Sequence, residues 1–169
     1  MGSSIGPQTV TSGLIYNLDA ANSSSITNVN RNLLIFSEDL SNGVWVREAT
    51  TVVANQEFAP DGTLTADKVT GNNGVTVRKS IYQAYQSFLA GVTYTYSVYI
   101  KSAGFSNAMI WFDTPNATQG AYWGAGSLIN ILNGTASGGQ TNVSDAGNGW
   151  YRCRITFTPT ISGGYNLQF

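Results

Sequence analysis

Residues 149–158, GWYRCRITFT, bring Trp150, Tyr151, Arg152, Cys153 and Arg154 together and are the first place to look for chemistry. Cys153 is the chain's only cysteine, so no intrachain disulfide can form. As a nucleophile it would need a base, and the chain contains no histidine. The same absence excludes a serine triad. The remaining reading of Cys153 is a small buried hydrophobe. Acid/base hydrolysis would need two carboxylates flanking one scissile bond. Glu38 and Asp39 are the only adjacent acids, and neighbours in a turn diverge, so no catalytic residue is nominated. Two other groups stay open. Glu38 and Asp39 in SEDLSN, with Asp61 and Asp67 in APDGTLTAD, could give a calcium ion its oxygen ligands or simply cap turns. Trp111, Tyr122 and Trp123 lie in AMIWFDTPNATQGAYWGAG, the stretch richest in both aromatics and loop residues. They could stack against sugar rings or pack as core or interface residues.

Composition bounds what can hold these groups. A chain of 169 residues fits one domain with one core. Charged residues make up 10%, against roughly 25% in typical soluble domains, and Asn, Ser, Thr and Gly replace them. A net charge of −1 without a basic run leaves nothing to neutralise a row of phosphates, so nucleic acid is excluded as a partner. No apolar stretch approaches the roughly 18 residues that span a bilayer, so no membrane partner is expected. MGSSIGPQTV lacks the charged and apolar regions of a signal peptide. The sequence is therefore expected either to be already processed or to leave its cell by lysis or within an assembly.

The positioning elements read as strands. In VTYTYSVYIK, Tyr94, Tyr96, Val98 and Ile100 alternate with Thr95, Ser97, Tyr99 and Lys101. In GWYRCRITFT, Cys153, Ile155 and Phe157 share the core face and Arg152 and Arg154 the opposite one. Trp111 shares a face with Met109, opposite Ala108, Ile110 and Phe112. Further strands are expected at 13–18, 32–36, 50–55, 64–70, 75–83, 127–132 and 165–169, with turns at APDG and GNNG. The best helical window, SIYQAYQSFLAG, is short and rich in Tyr. The pattern predicts an all-β protein, two packed antiparallel sheets of jelly-roll type.

The two ends differ from this core. Residues 1–30 are polar and breaker-rich around Leu14, Ile15, Tyr16 and Leu18, which suggests an extended N-terminal docking arm before a sandwich over 31–169. GGYNLQF reads as an apolar strand at the end of the chain, a pairing edge that proteins protect. Its expected fate is burial beside another strand or cover from a neighbouring subunit.

The order NLLIFSEDLSNGVWVRE, TTVVANQEFAPDGTLTADKVT, YTYSVYIKSAG, GNGWYRCRITFT resembles the carbohydrate-binding-module-like jelly rolls that recur in bacteriophage virion proteins. The match covers about residues 31–158 and is specific through the joint occurrence of its motifs in order. Trp45 and Trp150 occupy motif positions, which implies core or sheet-edge roles. SGLIYNLDAANSSS resembles a segment that precedes lectin-like jelly rolls in phage structural proteins, and here it passes directly into the next motif, as an attachment arm would. Family members continue past the GWYR strand to a W-G-A-Q-like ending that is missing here, which implies strand donation from a neighbour as one way to close the sandwich. Related jelly rolls often carry a structural calcium; no other cofactor is implied. The resemblance implies a non-enzymatic virion structural protein, a head decoration or a fibre or tail accessory, assembled in the host cytoplasm and displayed on the particle surface. Its partners would be other virion proteins, further copies of itself and, in the alternative reading of an adhesin module, a host surface glycan.

Overall fold

Alternating apolar and polar residues, broken by Gly, Asn and Asp, build a protein of antiparallel strands. The computed structural model describes residues 32–74, 78–113, 127–137 and 141–169. The expected arm residues Leu14, Ile15, Tyr16 and Leu18 lie outside this set, as do Tyr122 and Trp123. The strands all belong to the unit Leu34–Phe169. They are β1 (Val46–Glu48), β2 (Thr50–Glu57), β3 (Ala66–Gly71), β4 (Ser80–Phe88), β5 (Tyr94–Lys101), β6 (Asn107–Asp113), β7 (Ser127–Asn130), β8 (Thr135–Ser137), β9 (Thr141–Gly147), β10 (Trp150–Phe157) and β11 (Gly163–Gln168). No helix occurs among the described residues. One sheet has the order β1-β4-β11-β6-β7-β8, a second β5-β10-β9, and β2 pairs with β3 alone. The arrangement is all-β and sandwich-like, as the alternation predicts.

The core lies between the larger sheets. Ile81, Phe88, Ile110, Ile129 and Leu167 come from the first, and Tyr96, Cys153, Ile155 and Phe157 from the second. Phe88 joins them, edge-on to Tyr94 at 4.5 Å and to Phe157 at 5.2 Å. Ile81 and Phe88 have opposite parity along β4, yet both are buried. The register explains this. Tyr165 pairs with Gln86 but Leu167 with Gln83, so β4 carries one extra residue and its side-chain alternation flips part-way.

Two expectations change. The segment 32–36 is not a strand; the chain turns there, with the N–H of Asp39 donating to Phe36 O at 3.1 Å and Phe36 at a φ of 50°. The carboxamide of Gln83 takes the place of a strand partner, accepting from the Ile35 N–H at 3.3 Å and donating back to the Ile35 carbonyl. SIYQAYQSFLAG, the best helical window, holds strand instead: Ser80–Phe88 form β4 between β1 and β11, overlapping the strand expected at 75–83. The strand runs from Ser80 to Phe88 rather than ending at 83, and residues 75–77 lie outside the described set. The strand GGYNLQ is no edge: β11 pairs with β4 on one side and β6 on the other, the first of the two fates expected for it.

β9 and β10 form a hairpin across GNGW. Gly147, Asn148 and Gly149 all take positive φ (82°, 53° and 80°), which suits Gly and Asn, and Asp145 accepts the Gly147 N–H at 2.8 Å. Beyond the turn Cys153 sits fully buried between Val98 and Val143. Burial pushes its thiol up to about 11, so at neutral pH it is neither ionised nor reachable. Ellman's reagent at pH 8 is expected to leave the native protein unmodified for hours and to titrate one thiol per chain after denaturation. Prompt reaction of the native protein would contradict this packing.

Candidate functional site

The outer face of the six-stranded sheet carries Trp111. Alternation separates Met109 and Trp111 from Ile110; Ile110 points inward and is fully buried, so Met109 and Trp111 point outward. Pairing sets Val46, Tyr82, Gln168 and Trp111 side by side across β1, β4, β11 and β6. Met109 opposes Leu128, and these two are 43% and 45% exposed, too open for core residues. Arg78 brings charge to this apolar surface. Its guanidinium lies 5.3 Å from the Trp111 ring centroid, a cation–π distance. Glu48 holds Arg78 through contacts at 3.1 Å from Nε and from a terminal nitrogen, and accepts the Ser80 hydroxyl at 3.0 Å. An indole, a guanidinium and a carboxylate thus share one sheet face on which Ser80 and Gln168 are buried and Trp111 is half-buried; their exposed parts can stack a sugar ring and bind its hydroxyls.

Sequence reasoning found Trp111 but not Arg78, Glu48, Tyr82 or Gln168. Their partners lie on other strands, and only pairing register brings them together. Tyr122 and Trp123 fall outside the described residues, so no geometry joins them to Trp111.

The four acids considered for calcium are placed as follows. Asp67 holds two segments at once: one oxygen accepts the Leu40 N–H at 2.7 Å and the other the Asn55 N–H at 3.0 Å. Asp39 accepts the Ser41 N–H at 3.1 Å and hydroxyl at 2.6 Å. Asp61 does the same for Thr63 at 2.9 and 2.7 Å. The Ser41 hydroxyl holds the Asp39 carboxyl below its usual range, and the Thr63 hydroxyl does so for Asp61. Glu38 and Asp39 line a shallow groove of about 430 Å³ with Phe36, Asn55 and Thr65. Among the described residues no three His, Cys, Asp or Glu side chains gather closely enough to hold a metal ion. The observed contacts of Asp39 and Asp61 are those of turn caps, and those of Asp67 clamp distant segments together.

The tryptophans at motif positions are buried and bonded. Trp45 donates its indole N–H to Phe36 O and Trp150 to Phe58 O, both at 2.9 Å. Lys101 sits 6.0 Å from the Trp150 ring and pairs with Glu57 at 3.3 Å. The Phe58 N–H, then Lys101, holds the Glu57 carboxyl below its usual value. No protein-family model matches the chain, and no curated protein matches it either.

Proposed function

We propose that this chain is a non-enzymatic bacteriophage virion structural protein, a head decoration or a fibre or tail accessory, that displays a jelly-roll sandwich of carbohydrate-binding-module type. One observation carries the reading: the sequence motifs behind the resemblance interlock. Asp67 of the TADK segment clamps Leu40 of the SEDL segment. Trp150 of GNGW clasps Phe58, just ahead of APDG. Motifs far apart in sequence thus secure one another's backbone, a physical reason for them to occur together as a scaffold signature. The side chains they use are spent on the scaffold, and the outer sheet faces are left for contacts. Residues 1–30 serve in this reading as the arm that docks the sandwich on the particle, through Leu14, Ile15, Tyr16 and Leu18. A variant lacking residues 1–30 is expected to stay folded and to lose co-sedimentation with the particle. Co-sedimentation at the full-length level would remove the arm from the account.

The outward Trp111 with Arg78 over its ring favours a second role for the same protein, recognition of a host surface polysaccharide. Tyr122 and Trp123, close to Trp111 in sequence, are the further glycan-binding candidates of this reading. Tryptophan fluorescence titrated with bacterial surface glycans is expected to saturate for one of them, and Trp111→Ala to weaken binding at least tenfold. Unchanged affinity in Trp111→Ala would exclude this face.

A further inference from the structure

We propose that the outer face of the three-stranded sheet, centred on Arg152 and Arg154, is a binding site for a carboxylated saccharide. The site is distinct from the Trp111 face and does not rest on the glycan role proposed for it. Pairing register builds it as a small lattice. Tyr99, Arg152 and Ser144 stand in one row across β5, β10 and β9, and Ser97, Arg154 and Asn142 in the next. Rows of this kind repeat about 7 Å apart along the strands, with strands about 4.8 Å apart. The flanking residues of both rows are exposed, and the two arginines are half-buried.

Charge points to the ligand. The protein has eight cationic side chains and a net charge of −1, yet two guanidinium groups stand at alternate positions of one strand. Among the described residues no carboxylate lies within ion-pair distance of either; Arg154 donates to Asn142 Oδ1 at 2.8 Å, and Arg152 lies 5.7 Å from the Tyr99 ring centroid. Both Nε atoms are buried against the sheet without a hydrogen-bond partner, so the side chains lie along the face. A planar guanidinium matches a carboxylate with paired hydrogen bonds, and an uncompensated pair of them favours an anion. Nearby, the Glu57 carboxylate is already engaged by Lys101.

The surroundings distinguish a sugar from other anions. Ser97, Ser144, Asn142 and the bonded Thr95–Thr156 hydroxyl pair at 3.1 Å supply donors and acceptors suited to ring hydroxyls. Tyr99, 45% exposed, supplies one flat aromatic face. An acidic protein would need an apolar interface centre, and this face has none beyond Tyr99. A nucleic acid would need a longer row of cations than two.

The test is calorimetric titration of the full chain with polygalacturonate, alginate, hyaluronate and polysialate, their carboxyl-reduced forms, and polyglutamate as a sugar-free polyanion. At least one carboxylated polysaccharide is expected to bind, its reduced form at least tenfold more weakly, and polyglutamate no better than the reduced form. Arg152→Lys and Arg154→Lys keep the charge and lose the planar fork, and each is expected to weaken binding several-fold. Asn142→Ala, on the outer strand, provides a mild variant should an arginine change disturb folding, and it too is expected to weaken binding. Failure of all four polysaccharides to bind, equal binding of polyglutamate, or full affinity in Arg152→Lys, Arg154→Lys and Asn142→Ala would overturn the proposal.

Discussion

Deleting Tyr165–Phe169 is expected to abolish cooperative folding. These residues hold the middle of the six-stranded sheet, with β4 on one side and β6 on the other. Leu167 lies in the core, and Phe169 exchanges backbone hydrogen bonds with Ile81 at 2.9 and 3.2 Å. Removing them uncovers two strands at once. Each backbone group left buried without a partner costs about 1–3 kcal/mol, and a lost core side chain about 1.5–3 kcal/mol. Several such losses together exceed the roughly 5–15 kcal/mol that keep a domain of this kind folded. Circular dichroism should show a broad, non-cooperative melt and limited proteolysis rapid degradation. A sharp transition close to that of the full chain would mean that β11 is not central to the sheet.

The second large effect is expected at Trp45. This ring is 3% exposed, meets Phe169 edge-on at 6.0 Å and donates its N–H to Phe36 O at 2.9 Å. It therefore ties the turn ahead of β1 to the end of the chain. Trp45→Ala should cost about 3–5 kcal/mol in urea unfolding, the range for emptying a large aromatic site. Trp45→Phe keeps much of the ring contact and loses the hydrogen bond, so it should cost about 1–2 kcal/mol. Equal losses in the two variants would show that the ring contact kept by Phe contributes nothing and that the indole N–H accounts for the effect.

Period-two patterning made β5, β6 and β10 readable in advance, including burial of Cys153 and the sharing of one face by Met109 and Trp111; the pattern alone leaves open which face of β6 turns outward. The pattern was strong there because each strand has one apolar and one polar or mixed face. It failed where the structure depends on distant partners. NLLIF has the composition of a strand, but its partner is the side chain of Gln83, 48 residues from Ile35. Phe36 takes a left-handed φ that a bulky residue rarely adopts, so no local preference announces that turn. β9, TNVSDAG, shows little apolar alternation because only Thr141, Val143 and Ala146 turn even half inward, and one of these is polar. The extra residue in β4 is a matter of register. Of the two candidate faces, the sequence disclosed Trp111 and the outward arginines. The contact of Arg78 with Trp111 and the rows across β5, β10 and β9 became visible only when the strands were paired.

The central claim, that the chain is a structural part of a phage particle, is tested most directly on particles released from cells that encode it. Peptide mass spectrometry of particles purified through a density gradient should find the chain at a fixed ratio to the major head or tail proteins, retained through a high-salt wash. Its confinement to the soluble fraction, with none on intact particles, would contradict the account.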